Sequence, residues 1–109
     1  MKIKDIPLSI IDWTNIPSLI SKGEKGKAGS KTFESGNIRV RIVKYSAGYE
    51  SDHWCEKGHI LFVLEGVLSL AIKRGKKCML HKGMSFHAGE GMPAHKVYSR
   101  NGAKVFIVD

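Results

Sequence analysis

From residue 31 onward the chain is a succession of short apolar runs cut by glycine-bearing turns, and this punctuation limits what it can fold into. Ile38-Arg39-Val40-Arg41-Ile42 alternates apolar and charged residues, the period of a half-buried strand. Ile60-Leu61-Phe62-Val63-Leu64 is continuously apolar, which reads as a strand buried on both faces. Gly66 then permits a tight turn into Val67–Ile72. Lys73-Arg74-Gly75-Lys76-Lys77 leads by another turn to Cys78-Met79-Leu80. Further strands are expected near Met84–Phe86, His95–Tyr98 and Ala103–Val108. Roughly seven or eight short strands, with turn signals every 8–12 residues, are the mark of a β-sandwich or barrel.

The first 30 residues read differently. Ser9–Trp13 is expected as a short strand, and Asn15–Ile20 as one helical turn with Asn15 as cap and Pro17 in the first turn. Residues 22–31 read as a flexible basic loop. The 109 residues fit one domain, 1–109, with an arm and basic loop over 1–30 and a barrel over 31–109. No apolar run approaches the roughly 18 residues needed to cross a membrane, and the N-terminus does not read as a signal peptide, because Asp5 and Pro7 interrupt it. A cytoplasmic protein with no membrane partner is expected. There Cys55 and Cys78 are thiols rather than a disulfide, and Cys78 reads as a small buried residue. The formal net charge of +8 raises a nucleic-acid partner. The bases instead cluster in turns, with few aromatics among them, and no DNA- or RNA-binding motif is visible. The expectation is no nucleic acid. The double-sided burial of Ile60–Leu64 needs a cover from the N-terminal segment or a second subunit, and a homodimer is expected.

The chemistry is concentrated in Asp52-His53-Trp54-Cys55-Glu56-Lys57-Gly58-His59. Residues two apart on a strand share a face, so His53 and Cys55 project together. His59 follows a Lys57-Gly58 bend, and His95 comes after the Gly89–Ala94 turn, where antiparallel pairing would bring it opposite His59. His53, Cys55, His59 and His95 form the candidate metal set. Imidazole and thiolate suit zinc, iron, nickel or copper, whereas calcium and magnesium prefer oxygen. His81 and His87 are not needed, and His87 alternates with Phe86 and so faces away.

The stretch from Gly48 through His53-x-Cys55 and His59 to Gly66 resembles the first of the two short motifs of the cupins. Cys55 stands where that motif has its second histidine, and His59 where it has a glutamate. Gly83, Gly89-Glu90-Gly91 and His95 resemble the second motif, without a proline at 89 and with one extra residue before His95. The chain is more closely similar to the small bacterial DHCW-motif cupin-fold proteins. Asp52-His53-Trp54-Cys55, Lys57-Gly58-His59, Leu64-Glu65-Gly66 and Phe106-Ile107-Val108-Asp109 carry that likeness. Ile11-Asp12-Trp13 and Gly36–Arg41 extend it over nearly the whole chain. The resemblance implies an all-β, double-stranded β-helix (jelly-roll) barrel. It implies no single reaction, since cupins include dioxygenases, isomerases, decarboxylases, sugar-binding regulators and storage proteins.

With the thiol ionised, the His/Cys/His/His set keeps one negative ligand charge and favours zinc, with iron or nickel as alternatives. Four protein ligands on tetrahedral zinc close the site, whereas catalysis needs an open position. The leading reading is a metal-binding cupin acting on a small organic substrate. One alternative is a non-catalytic ligand-binding or sensing module with a structural metal. Another is a metal-free barrel whose cysteine and histidines only pack or respond to oxidation.

Overall fold

The computed structural model describes residues 2–109. Its strands are β1 (Leu19–Lys22), β2 (Lys27–Ser35), β3 (Ile38–Tyr45), β4 (Tyr49–Glu50), β5 (His59–Ile72), β6 (Lys77–His81), β7 (Ser85–Ala88), β8 (His95–Ser99) and β9 (Ala103–Val108). They pair antiparallel throughout. Among the described residues there is no α-helix, and no helix is long and apolar enough to cross a membrane.

The architecture turns on β5. Its first half pairs with β9 and β7, in the sheet that continues through β3 and β2 to β1. Its second half pairs with β6 and β8, and β8 continues to β4. One strand thus belongs to both sheets, and the two curl over a shared core of Val43, Leu61, Val63, Leu68, Leu70, Leu80, Val105 and Ile107. The crossing needs Gly66. Its φ is +79°, and a Cβ there would run into the backbone carbonyl of Gly102. A register shift between Val63 and Glu65 adds a bulge just before it, which sharpens the bend. The expected tight turn at Gly66 is therefore a bend inside one 14-residue strand.

The apolar run also differs from its double-sided reading. Leu61 and Val63 are buried, whereas Ile60 and Phe62 are 42% and 40% exposed on the outer face. The same parity holds in β3. Val43 and Tyr45 are buried, so Arg39 and Arg41 share the inward face while Val40 and Ile42 face out. Cys78, expected as buried, is exposed on β6, which among the described residues pairs only with β5.

In the N-terminal part, the expected helical turn at 15–20 is a 3-10 turn at Trp13–Asn15, followed directly by β1. Asp12 caps it by accepting from the Thr14 amide at 3.0 Å. The basic stretch expected as a loop becomes a hairpin, β1 with the start of β2. Backbone bonds hold its turn: Glu24 N–H donates to the Glu50 carbonyl at 2.8 Å, and Glu50 N–H to the Lys25 carbonyl at 2.9 Å. Pairing of this kind does not depend on which side chains the segment carries. The arm is pinned over β2 and β3, where the Lys4 amide donates to Asn37 Oδ1 and Lys31 Nζ to the Trp13 carbonyl, both at 2.9 Å.

Two glycines separate dihedral cost from steric cost. Gly48 has φ +77° with open space around it. Gly48→Ala should cost about 1–2 kcal/mol, the ordinary left-handed penalty. Gly66→Ala should cost clearly more, about 3 kcal/mol or above, because backbone must also move. Urea midpoints measure both, and equal losses would show that the close approach to Gly102 is not what demands glycine.

Candidate metal centre

Cys55, His59 and His95 come together at one end of the interior, where their ligand atoms lie within 4.8 Å of one another. Three backbone devices place them. His59 opens β5 in the first sheet, with Ala88 of β7 as its neighbour. His95 opens β8 in the second sheet, paired to Ile72 at the far end of β5. Cys55 is bonded to His95 through both backbones: its N–H donates to the His95 carbonyl at 2.8 Å, and the His95 N–H to its carbonyl at 3.0 Å. His59 and His95 are thus not strand neighbours, as the spacing suggested. They face each other across the space between the sheets, Nε2 to Nε2 at 2.9 Å. Phe86 packs edge-on against both rings, at 5.4 Å and 5.3 Å between centroids.

Gly58 allows the loop before His59 to meet the loop before His95. Its amide donates to Glu90 Oε2 at 2.9 Å, and a Cβ at 58 would come within 2.7 Å of the Glu90 nitrogen.

Both histidines are buried. Burial, followed by the neighbouring His95, pushes the His59 pKa down to about 4. Burial also lowers that of His95, against a backbone hydrogen bond to Pro93. At neutral pH both rings are uncharged, the form that ligates a metal. His59 Nδ1 is buried without a partner. One thiol and two neutral imidazoles with converging ligand atoms fit a zinc-type ion.

His53 lies outside this group. Its side chain is largely exposed, and its Nδ1 faces Asp52 Oδ1 at 2.6 Å. Trp54 is also at the surface, with Lys96 Nζ 5.0 Å over its ring. His87 faces out and meets Ser85 Oγ at 3.0 Å.

Sequence reasoning missed Arg39, Arg41 and Asp109. Asp109 follows β9 and aligns between Arg39 and His59 in one inward row across the sheet. Arg39 grips it with Nε at 3.0 Å from Oδ1 and Nη2 at 2.8 Å from Oδ2. Arg41 Nη2 reaches the same Oδ2 at 3.3 Å. Burial would raise the Asp109 pKa, but the Arg39 hydrogen bonds and the two arginine charges hold it below the usual carboxylate range. The available signal was strand parity: the buried residues of β3 continue the arginine side, not the valine side.

Two cavities border the centre. One, of about 370 Å³, is mostly apolar and lined by Leu70, Ile72, Phe86, Met92, Pro93 and His95. The other, of about 570 Å³, runs past His59, Asp109, Gly58 and Glu90.

A depressed histidine pKa makes the unfolded state bind the proton first, so its contribution to stability is present above about 6.5 and is lost as the pH falls toward the folded value of about 4. The melting temperature of chelator-treated protein should therefore drop between about pH 6.5 and pH 4.5. Asp109 titrates below that window. His59→Gln should flatten the drop, and an unchanged slope in that variant would remove the buried pair as its cause.

No protein-family model matches the chain, and no curated protein matches it. Solved structures do. A protein from Thermotoga maritima described as a predicted oxalate decarboxylase is 14% identical, with a TM-score of 0.79 over 92% of this chain and 96% of its own. An RmlC-like cupin from Shewanella frigidimarina is 13% identical, with a TM-score of 0.76 over 95% and 91%. Ectoine synthase from P. lautus is 13% identical, with a TM-score of 0.76 over 93% and 76%. Identities this low speak for the fold alone. With its curled antiparallel sheets, shared strand and convergent ligands, the chain has the cupin β-barrel fold.

Proposed function

We propose that the protein is a metal-binding cupin that holds a divalent transition ion through Cys55, His59 and His95 and takes a small organic molecule beside it. The observation that carries this reading is the convergence of one thiol and two neutral, buried imidazoles where the sheets meet. The thiol makes zinc the first choice, ahead of iron or nickel. Three protein ligands leave a position open, and the metal would there supply Lewis-acid polarisation. The flanking cavities are within the usual size for small-molecule sites. The chain's own residues divide the work. Phe86 holds both rings in place, Cys55 is fixed by its backbone pair with His95, and Leu70, Ile72 and Phe86 give the cavity beside His95 an apolar wall.

A four-ligand set including His53 would require residues 51–56 to swing inward, which would close the site and make the metal structural. Metal analysis separates the two. Protein purified without chelator should hold about one zinc per chain. His59→Ala and His95→Ala should each lose it, Cys55→Ser should bind zinc about tenfold or more weakly, and His53→Ala should keep it. Full metal content in both His59→Ala and His95→Ala would sink the centre, and loss in His53→Ala would establish the closed set.

The protein is further proposed to be a homodimer in the cytoplasm. Two free thiols suit a reducing compartment. Ile60 and Phe62 lie on an outer face that continues through Phe106 and Val108 of β9 to Ile42 and Val40 of β3. The pinned arm leaves Ile60 and Phe62 uncovered. Light scattering should give twice the chain mass at micromolar concentration, and Phe62→Lys should give a monomer. A monomeric wild type would end this reading.

A further inference from the structure

We infer that the small molecule taken into this site is an organic carboxylate, bound by Arg41 on the inward face of β3. The inference takes the small-molecule pocket of the proposed function as given and names its ligand class. It rests on a charge imbalance within the barrel. Two guanidinium groups, on Arg39 and Arg41, share one carboxylate, that of Asp109. Arg39 occupies both oxygens in a bidentate grip. Arg41 has only a 3.3 Å contact to an oxygen already used. Its Nε is buried and has no hydrogen-bond partner. Glu34, on β2 opposite Arg39 rather than Arg41, is exposed and makes no ion pair among the described residues.

A guanidinium with a buried, unmade bond is costly unless a ligand completes it. The Arg41 side chain is only 23% exposed and Asp109 is 6% exposed, so solvent satisfies little of this charge. Arg41 stands behind the wall of the larger cavity, where its Nη2 meets the Oδ2 of Asp109, a residue that lines that cavity. Arg41 lies in the inward row of Ile107 and Leu61, beside the row that holds Asp109 and His59. The planar guanidinium fork suits a carboxylate, and a dicarboxylate would offer its second group to the metal, which a single phosphate group would not do. The ligand would set its carboxylate on Arg41 and the remainder of its body toward the metal ligands.

The test is isothermal titration in chloride-free buffer with malonate, its neutral analogue malonamide and inorganic phosphate. Metal-loaded and chelator-treated protein are both titrated. Malonate should bind metal-loaded wild type, malonamide should not, and phosphate should bind more weakly than malonate. Arg41→Gln should weaken malonate by roughly tenfold to a hundredfold, as expected for loss of a charge-assisted bond, with metal content unchanged. Arg41→Lys, which keeps the charge, should recover part of the affinity and guards against a folding defect in the glutamine variant. Equal binding of malonamide, unchanged malonate affinity in Arg41→Gln, tighter binding of phosphate, or no malonate binding to metal-loaded protein would each overturn the assignment. The metal reading fails separately. Arg41-dependent malonate binding in a protein whose His59→Ala and His95→Ala variants keep full metal would support the carboxylate site while removing the centre.

Discussion

The passage of β5 from one sheet to the other is the constraint on which the rest of this structure depends. Fourteen residues run as one strand, and four other strands take their register from it. Because the strand bends at Gly66, its first residue, His59, and the partner of its last, His95, come to face each other rather than lie far apart along one flat sheet. The candidate centre is a product of that bend. A straight β5 would keep both histidines and lose their meeting.

The interior at this end is unusual in its electrostatics. On one side stand two uncharged imidazoles, kept so by burial. On the other stand two arginines and an ionised carboxylate, brought inside on the same strand face as Val43 and Tyr45. Charges of this kind are retained in a small barrel only with partners; Arg39 and Asp109 are paired through two bonds, while Arg41 shares one oxygen of that carboxylate and leaves its Nε without a partner. The site therefore combines donors suited to a soft cation with a guanidinium suited to an anion, and the apolar cavity beside His95 adjoins the same place.

Much of this could be read from the residues alone. The strand character of β3, β5 and β9, the all-β class, and the grouping of Cys55, His59 and His95 follow from period and ligand type. What could not be read was sidedness. Ile38–Ile42 alternates cleanly, yet alternation does not say which set is inside, and here the arginines are. The run Ile60–Leu64 hid the same ambiguity, because an apolar outer face reads like a core face in sequence. Lys22–Lys31 escaped as a strand hairpin because backbone pairing to Glu50 holds it rather than apolar side chains. Local spacing also pointed to His53, two residues from Cys55, but that argument assumes an extended chain, and residues 51–58 contain no continuous strand.

The separation of the ligands along the chain has a consequence for how the protein reaches its native state. His59 and His95 are 36 residues apart, with β6 and β7 between them. No local segment can hold them in place before both sheets have closed, and barrels built from such distant pairings fold slowly. An ion bound by all three ligands would therefore recognise the finished barrel rather than a nucleus. It would lower the rate of unfolding and leave the rate of folding nearly unchanged. The centre would act as a late clasp, lengthening the lifetime of a fold that β5 has already organised.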